Sequence, residues 1–111
     1  MEKYENSSKI AIILGFYNGS EYLREQLESI ICQTHKKFKI FIFDDYSRKR
    51  TINSELKSFI EKQSKISIIR RNSNIGYAKN FLFGLKDVGS NYDFYAFSDQ
   101  DDIWEKNKLE N

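Results

Sequence analysis

The chain has 111 residues, 40% of them hydrophobic and 15% aromatic, which suits one compact domain with its own core and excludes a disordered chain. Eighteen lysines and arginines nearly balance 16 acidic residues, a net charge of +2, so bulk charge gives no case for a nucleic-acid or membrane-surface binder. No apolar run approaches the roughly eighteen residues of a membrane helix, the polar start Met1 to Lys9 does not read as a secretory signal, and a cytoplasmic protein is expected.

Residues 1–8 carry no apolar period and are expected to form a flexible tail, leaving 9–111 as the folded part. Ile10 to Leu14 is a continuous apolar run and predicts a buried strand, followed by a turn from Gly15 to Ser20. Leu23, Leu27, Ile30 and Ile31 then share one helical face, with Asn18 and Glu21 as a candidate capping box. The single cysteine, Cys32, rules out an internal disulfide; with only His35 near it there is no zinc ligand set, and it reads as core packing. A second strand, Phe38 to Phe43, stops at Asp44-Asp45-Tyr46-Ser47, and the basic clusters Arg48-Lys49-Arg50 and Arg70-Arg71 read as solvated turns, the alternative being contact with a diphosphate or an anionic surface.

Leu56, Phe59 and Ile60 mark a mostly exposed helix between Asn53 and Lys62, and Ile66-Ser67-Ile68 a short third strand. The loop Asn72 to Gly76 leads to a helix carrying Phe81, Leu82 and Leu85, which Gly89 ends. A fourth strand, Phe94 to Phe97, runs into Ser98-Asp99-Gln100-Asp101-Asp102 and Ile103-Trp104. Four strands alternating with helices predict an α/β fold: a mostly parallel sheet with helices on both faces. In such sheets ligands sit beyond the carboxyl ends of the strands. The polar stretches Gly15 to Asn18, Asp44 to Ser47 and Asp99 to Asp102 each follow a strand, so they converge on that one rim.

Asp99, Asp101 and Asp102 lie so close together that their carboxylates repel unless a cation or protons neutralise them. A hard divalent ion, manganese or magnesium, takes oxygen ligands and shares carboxylates with substrate phosphates, which suits a diphosphate clamp. The competing reading is an acidic helix start, with Asp102 and Glu105 as a capping box and Trp104 as a core anchor. At Asp44 and Asp45 one carboxylate is expected to face the site, where it can accept a hydrogen bond from a nucleobase N–H; the alternative is an Asx turn closing on Ser47. Tyr17 either stacks on a base or packs under its turn, and Asn74 with Gly76 can be a helix-entry loop alone.

Taken together, Gly15-Phe16-Tyr17-Asn18, Gln33-Thr34, Asp44-Asp45-Tyr46-Ser47, Asn74-Ile75-Gly76, Asn80 and Phe97 to Trp104 resemble, in order and spacing, the family 2 glycosyltransferases with their GT-A fold. The stretch Ser98 to Trp104 looks most like bacterial, rhamnosyltransferase-like members that build surface polysaccharides. The resemblance implies that 9–111 is the nucleotide-sugar-binding part. It assigns metal binding to Asp101, a place near the ribose or the metal to Asp99, contact with a uracil or thymine base to Asp45 with Asp44 as support, and nucleotide binding to the loops of Gly15, Tyr17 and Asn74. The implied partner is a UDP or dTDP sugar, the cofactor manganese or magnesium, and the reaction transfer of the sugar to an acceptor hydroxyl. The catalytic base is unknown and expected beyond Asn111, so the chain alone is expected to be an inactive, self-associating fragment of an enzyme peripheral at the membrane. Gly15 stands where the family usually has proline, and Tyr46 where it often has glycine. Two other readings are a non-enzymatic nucleotide or metal-binding module and a magnesium-dependent phosphoryl-transfer domain. The second lacks an aspartate after the first strand, and no G-x-G-x-x-G supports a dinucleotide oxidoreductase.

Overall fold

Two apolar runs with no polar alternation demand cover on both faces, and they form the two central strands of a four-stranded sheet. The structure is a computed structural model that describes residues 8–18, 22–34, 36–48 and 52–99. In chain order the elements are β1 (Ile10–Phe16), α1 (Leu23–Ile31), β2 (Phe38–Asp44), α2 (Ser54–Glu61), β3 (Ile66–Arg70), α3 (Tyr77–Val88) and β4 (Phe94–Asp99). The strands lie in the order β3-β2-β1-β4, all parallel.

On one face, Ile10, Ile12, Leu14 and Phe16 of β1 and Phe38, Ile40 and Ile42 of β2 form a single core with Leu23, Leu27 and Ile30 of α1 and with Leu56 and Ile60 of α2. Each such fully buried side chain contributes about 1.5–3 kcal/mol relative to exposure. On the other face α3 packs on β1 and β2. Its approach depends on Gly84, where a Cβ would lie 2.9 Å from the Phe43 ring and 3.3 Å from Ile13. The chain thus lays α1 and α2 on one side while moving from β1 to β3, then crosses back under α3 to place β4 beside β1.

Several local expectations are corrected. β1 continues through Gly15 and Phe16, and β4 through Ser98 and Asp99, because Gly15 pairs with both Phe43 and Asp99 and Phe16 with Asp44. Ladder pairing on two sides outweighs the turn preference of Gly15. β3 runs on to Arg70, yet only Ile66 is buried, since β3 is an edge strand and Ile68 and Ile69 are exposed.

The capping box expected of Asn18 and Glu21 falls partly outside the described residues. Among those described, helix α1 starts after Tyr22, which makes no side-chain cap, and the Asn18 side chain accepts the Arg48 N–H at 2.8 Å. Glu21 lies outside the described residues, as do residues 1–7 of the expected tail. Helix α2 is capped by Asn53, the Leu56 N–H donating to its Oδ1 at 2.8 Å, and Gly89 ends α3 at φ 83°.

Cys32 is exposed and no core residue, because it sits one residue beyond the end of α1. Leu82 points outward, while Asn80 and Gly84 are the buried positions of α3. Among the described residues no helix is long and apolar enough to cross a membrane.

Candidate functional site

Where β1 and β2 end, their loops and the start of α3 enclose a half-open cavity of about 450 Å³. Such a volume lies within the roughly 300–1,000 Å³ of small-molecule sites. Gly15, Phe16 and Tyr17 form one wall, Asp45 lines it from the second loop, and Asn74, Gly76, Tyr77 and Asn80 close it from the third. Of the residues singled out from sequence, Gly15, Tyr17, Asp45 and Asn74 are brought together here.

Asp45 is almost fully buried, and its carboxylate caps α3 from a distance: the Ile75 N–H donates to Oδ1 at 2.7 Å and the Gly76 N–H to Oδ2 at 2.9 Å. Gly76, at φ 87°, supplies no side-chain cap of its own. Two backbone hydrogen bonds and the positive end of the helix dipole therefore hold the carboxylate in one orientation. The Asn74 side chain donates to the Asp45 carbonyl at 3.2 Å, so loop and carboxylate fix each other. Each carboxylate oxygen keeps one lone pair beyond its backbone bond, enough to accept from a ligand N–H.

Asp44 does other work. The Ser47 N–H donates to its Oδ1 at 2.9 Å, forming the Asx turn, and Arg70 Nε lies 3.9 Å from Oδ2. Arg70 Nη2 also donates to the Ser47 carbonyl at 2.7 Å. Asp44 borders a different, smaller groove of about 250 Å³ between α2 and β3, floored by Ile52, Ile60 and Ile68.

The two departures from the family pattern find physical explanations. Tyr46 adopts φ 64°, the left-handed conformation that favours glycine, and the Arg70 guanidinium stacks over its ring at 4.6 Å. A side chain at Gly15 would meet the Phe81 ring, 3.2 Å from an added Cβ, so glycine here admits Phe81 against β1.

Asn80 is the hub beneath the cavity. Its Nδ2 donates to the Phe43 carbonyl at 2.8 Å, while Arg71 Nε donates to its Oδ1 at 3.0 Å. Arg71 also pairs with Asp87 at 2.8 Å and covers the Phe43 ring, so it is a packed link and not the solvated turn expected of it; Arg48 is exposed, and Lys49 and Arg50 lie outside the described residues.

Gln26, buried in α1, donates to Ser98 Oγ at 3.0 Å and ties α1 to β4 one residue before Asp99. The Asp99 backbone sits at the end of β4 beside Gly15, on the rim of the cavity. Asp101, Asp102, Trp104 and Glu105 lie outside the described residues. Among those described, no three His, Cys, Asp or Glu side chains cluster as metal ligands.

Sequence reasoning passed over Tyr77 and left Asn80 without a role. The available signal was Gly76, a helix entry with no capping side chain, which requires a cap from elsewhere in the chain.

A parallel sheet of order β3-β2-β1-β4 with a cavity at its carboxyl rim is an open α/β architecture, in which ligands sit beyond the carboxyl ends of the strands. The sequence profile of glycosyl transferase family 2 matches residues 11–111, and the chain belongs to that family. It is 44% identical over 97 residues to the dTDP-rhamnosyl transferase RfbG of Shigella flexneri, covering 86% of this chain and 34% of that protein. It is 34% identical over 107 residues to the succinoglycan biosynthesis protein ExoW of Rhizobium meliloti, covering 94% of this chain and 33% of that one. The structure of S. aureus TarS 1-349 in complex with UDP superposes with a TM-score of 0.76 at 25% identity, over 91% of this chain and 30% of that one. The Pyrobaculum calidifontis mannosyltransferase PcManGT, in complex with GDP-Man and Mn2+, gives the same TM-score of 0.76 at 19% identity over 92% of this chain and 29% of that one, a likeness of fold. The chain thus spans about a third of the length of these relatives.

Proposed function

We propose that the cavity binds the nucleoside diphosphate of an activated sugar, of UDP or dTDP type, and that the protein transfers the sugar to an acceptor hydroxyl in the synthesis of a bacterial polysaccharide. The observation that carries this reading is the Asp45 carboxylate, clamped by α3 and lining a cavity with tyrosine walls on the rim where β4 delivers Asp99. Its lone pairs can accept the ring N–H of a uracil or thymine base, with Tyr17 against the base and Asn74 holding the loop. Support comes also from relatives named for dTDP-rhamnosyl transfer and for complexes with UDP or GDP-Man.

Asp99 and Asp101 are the proposed ligands of manganese or magnesium. Their all-oxygen donor set has the hardness such ions require. When bound, the ion would neutralise the diphosphate and stabilise it as a leaving group. The proposed setting is cytoplasmic, with the whole enzyme peripheral at the membrane.

A thermal-shift panel tests the reading. UDP or dTDP with manganese is expected to raise the melting temperature more than ADP does, and more than any nucleotide after chelation, because a ligand stabilises in proportion to its preference for the folded state. An equal response to every nucleotide, with or without metal, would remove the basis for the assignment.

We also propose that this chain self-associates. β4 is an edge of the sheet among the described residues, and Phe94 and Phe97 are exposed beside it. An edge strand next to exposed aromatic surface is a template for a second copy. Light scattering coupled to size exclusion should report a dimer or larger species; a clean monomer at high concentration would contradict the edge argument.

A further inference from the structure

We propose that Tyr77 is the second aromatic wall of the nucleotide site, stacking on the base whose hydrogen-bonding edge meets Asp45; the proposal rests on reading the cavity as a nucleoside-diphosphate site. Tyr77 lines that cavity together with Tyr17, from a different element, and is 68% exposed. It is the first residue of α3, directly after Gly76, whose N–H is bound to Asp45. A base held by its edge at Asp45 therefore has its π-face within one residue of an aromatic ring.

The ring is held from behind. Its centroid lies 4.9 Å from that of Phe81 at 78°, and Phe81 in turn meets Phe97 of β4 edge-on at 5.6 Å and 87°. Phe81 itself occupies the space left open at Gly15. A chain of rings anchored on β1 and β4 thus presents Tyr77 in a fixed orientation with much of its area facing water. Covering that area with a base gains dispersion and burial at little cost in side-chain entropy, since the ring is already ordered. Stacking is tolerant of base identity because every base has a π-face. Tyr77 would then set overall nucleotide affinity and Asp45 the choice of base.

Proton NMR titration of the chain with UDP and magnesium separates these roles. In the parent protein the uracil H5 and H6 resonances should move upfield on binding through the ring current. Tyr77→Ala should lose about tenfold in affinity, from the loss of one base stack, and with it most of the upfield shift. It should lose a similar factor for dTDP and GDP, while Tyr77→Phe keeps both affinity and shift. Unchanged circular dichroism is expected for a residue so exposed. Parent-like affinity and shifts in Tyr77→Ala would overturn the stacking role while leaving the cavity's function standing. An equal loss in Tyr77→Phe would overturn it in favour of a role for the hydroxyl. Absence of any nucleotide binding by the parent would overturn the cavity reading and this proposal together.

Discussion

Asp45→Ala is expected to lower the free energy of unfolding by about 2–4 kcal/mol, the sum of two hydrogen bonds to a charged group discounted for partial access of water to the freed donors. The substitution strands the Ile75 and Gly76 N–H groups at the start of α3 and removes the negative charge that complements the helix dipole. The Asn74 bond to the backbone carbonyl of position 45 survives the substitution, so the loss falls on the two carboxylate bonds. Denaturant unfolding monitored by circular dichroism measures this directly.

The same variant reports on base reading. Loosening the loop should weaken every nucleotide, whereas loss of an acceptor for a ring N–H should weaken uridine and thymidine nucleotides by a further 1.5–3 kcal/mol or so relative to adenosine ones. Equal losses across the bases would show that Asp45 acts only as the cap of α3.

The capping role of Asp45 marks the limit of what the sequence discloses. Helix α1 was legible because Leu23, Leu27 and Ile30 repeat at helical spacing and all three are buried. The parallel sheet was legible because Ile10 to Leu14 is apolar throughout and Phe38 to Phe43 is apolar but for Lys39, as befits strands covered on both faces. The convergence of strand-end loops followed from topology alone, and Gly15, Tyr17, Asp45 and Asn74 do meet at one cavity.

Local pattern could not show that Asp45 caps a helix beginning 32 positions later, because nothing near either partner records the pairing. Nor could it show that Gln26, polar yet fully buried, reaches Ser98, or that Asn80 joins α3 to β2 through the Phe43 carbonyl. Strand ends were misjudged for a related reason. Gly15-Phe16 and Ser98-Asp99 look like turns until their neighbours in the sheet supply ladder partners. Cys32, hydrophobic by type, is exposed since it falls just past the buried face of α1.

The second large effect concerns Asp101→Asn. On the proposed reading a diphosphate brings negative charge toward Asp99 and Asp101, and like charges repel unless a cation lies between them. Manganese should therefore tighten UDP or dTDP binding by tenfold or more. Asparagine keeps the volume of aspartate but not its charge, so the variant should retain the fold and lose most of that enhancement. It should bind nucleotide without metal at least as well as the parent does, because one repelling carboxylate is gone.

Isothermal titration calorimetry of the parent and Asp101→Asn with UDP and dTDP, each with manganese and after chelation, tests the account most directly. The account predicts a metal-dependent affinity in the parent that nearly disappears in the variant. Equal affinities with and without metal in both proteins would contradict it.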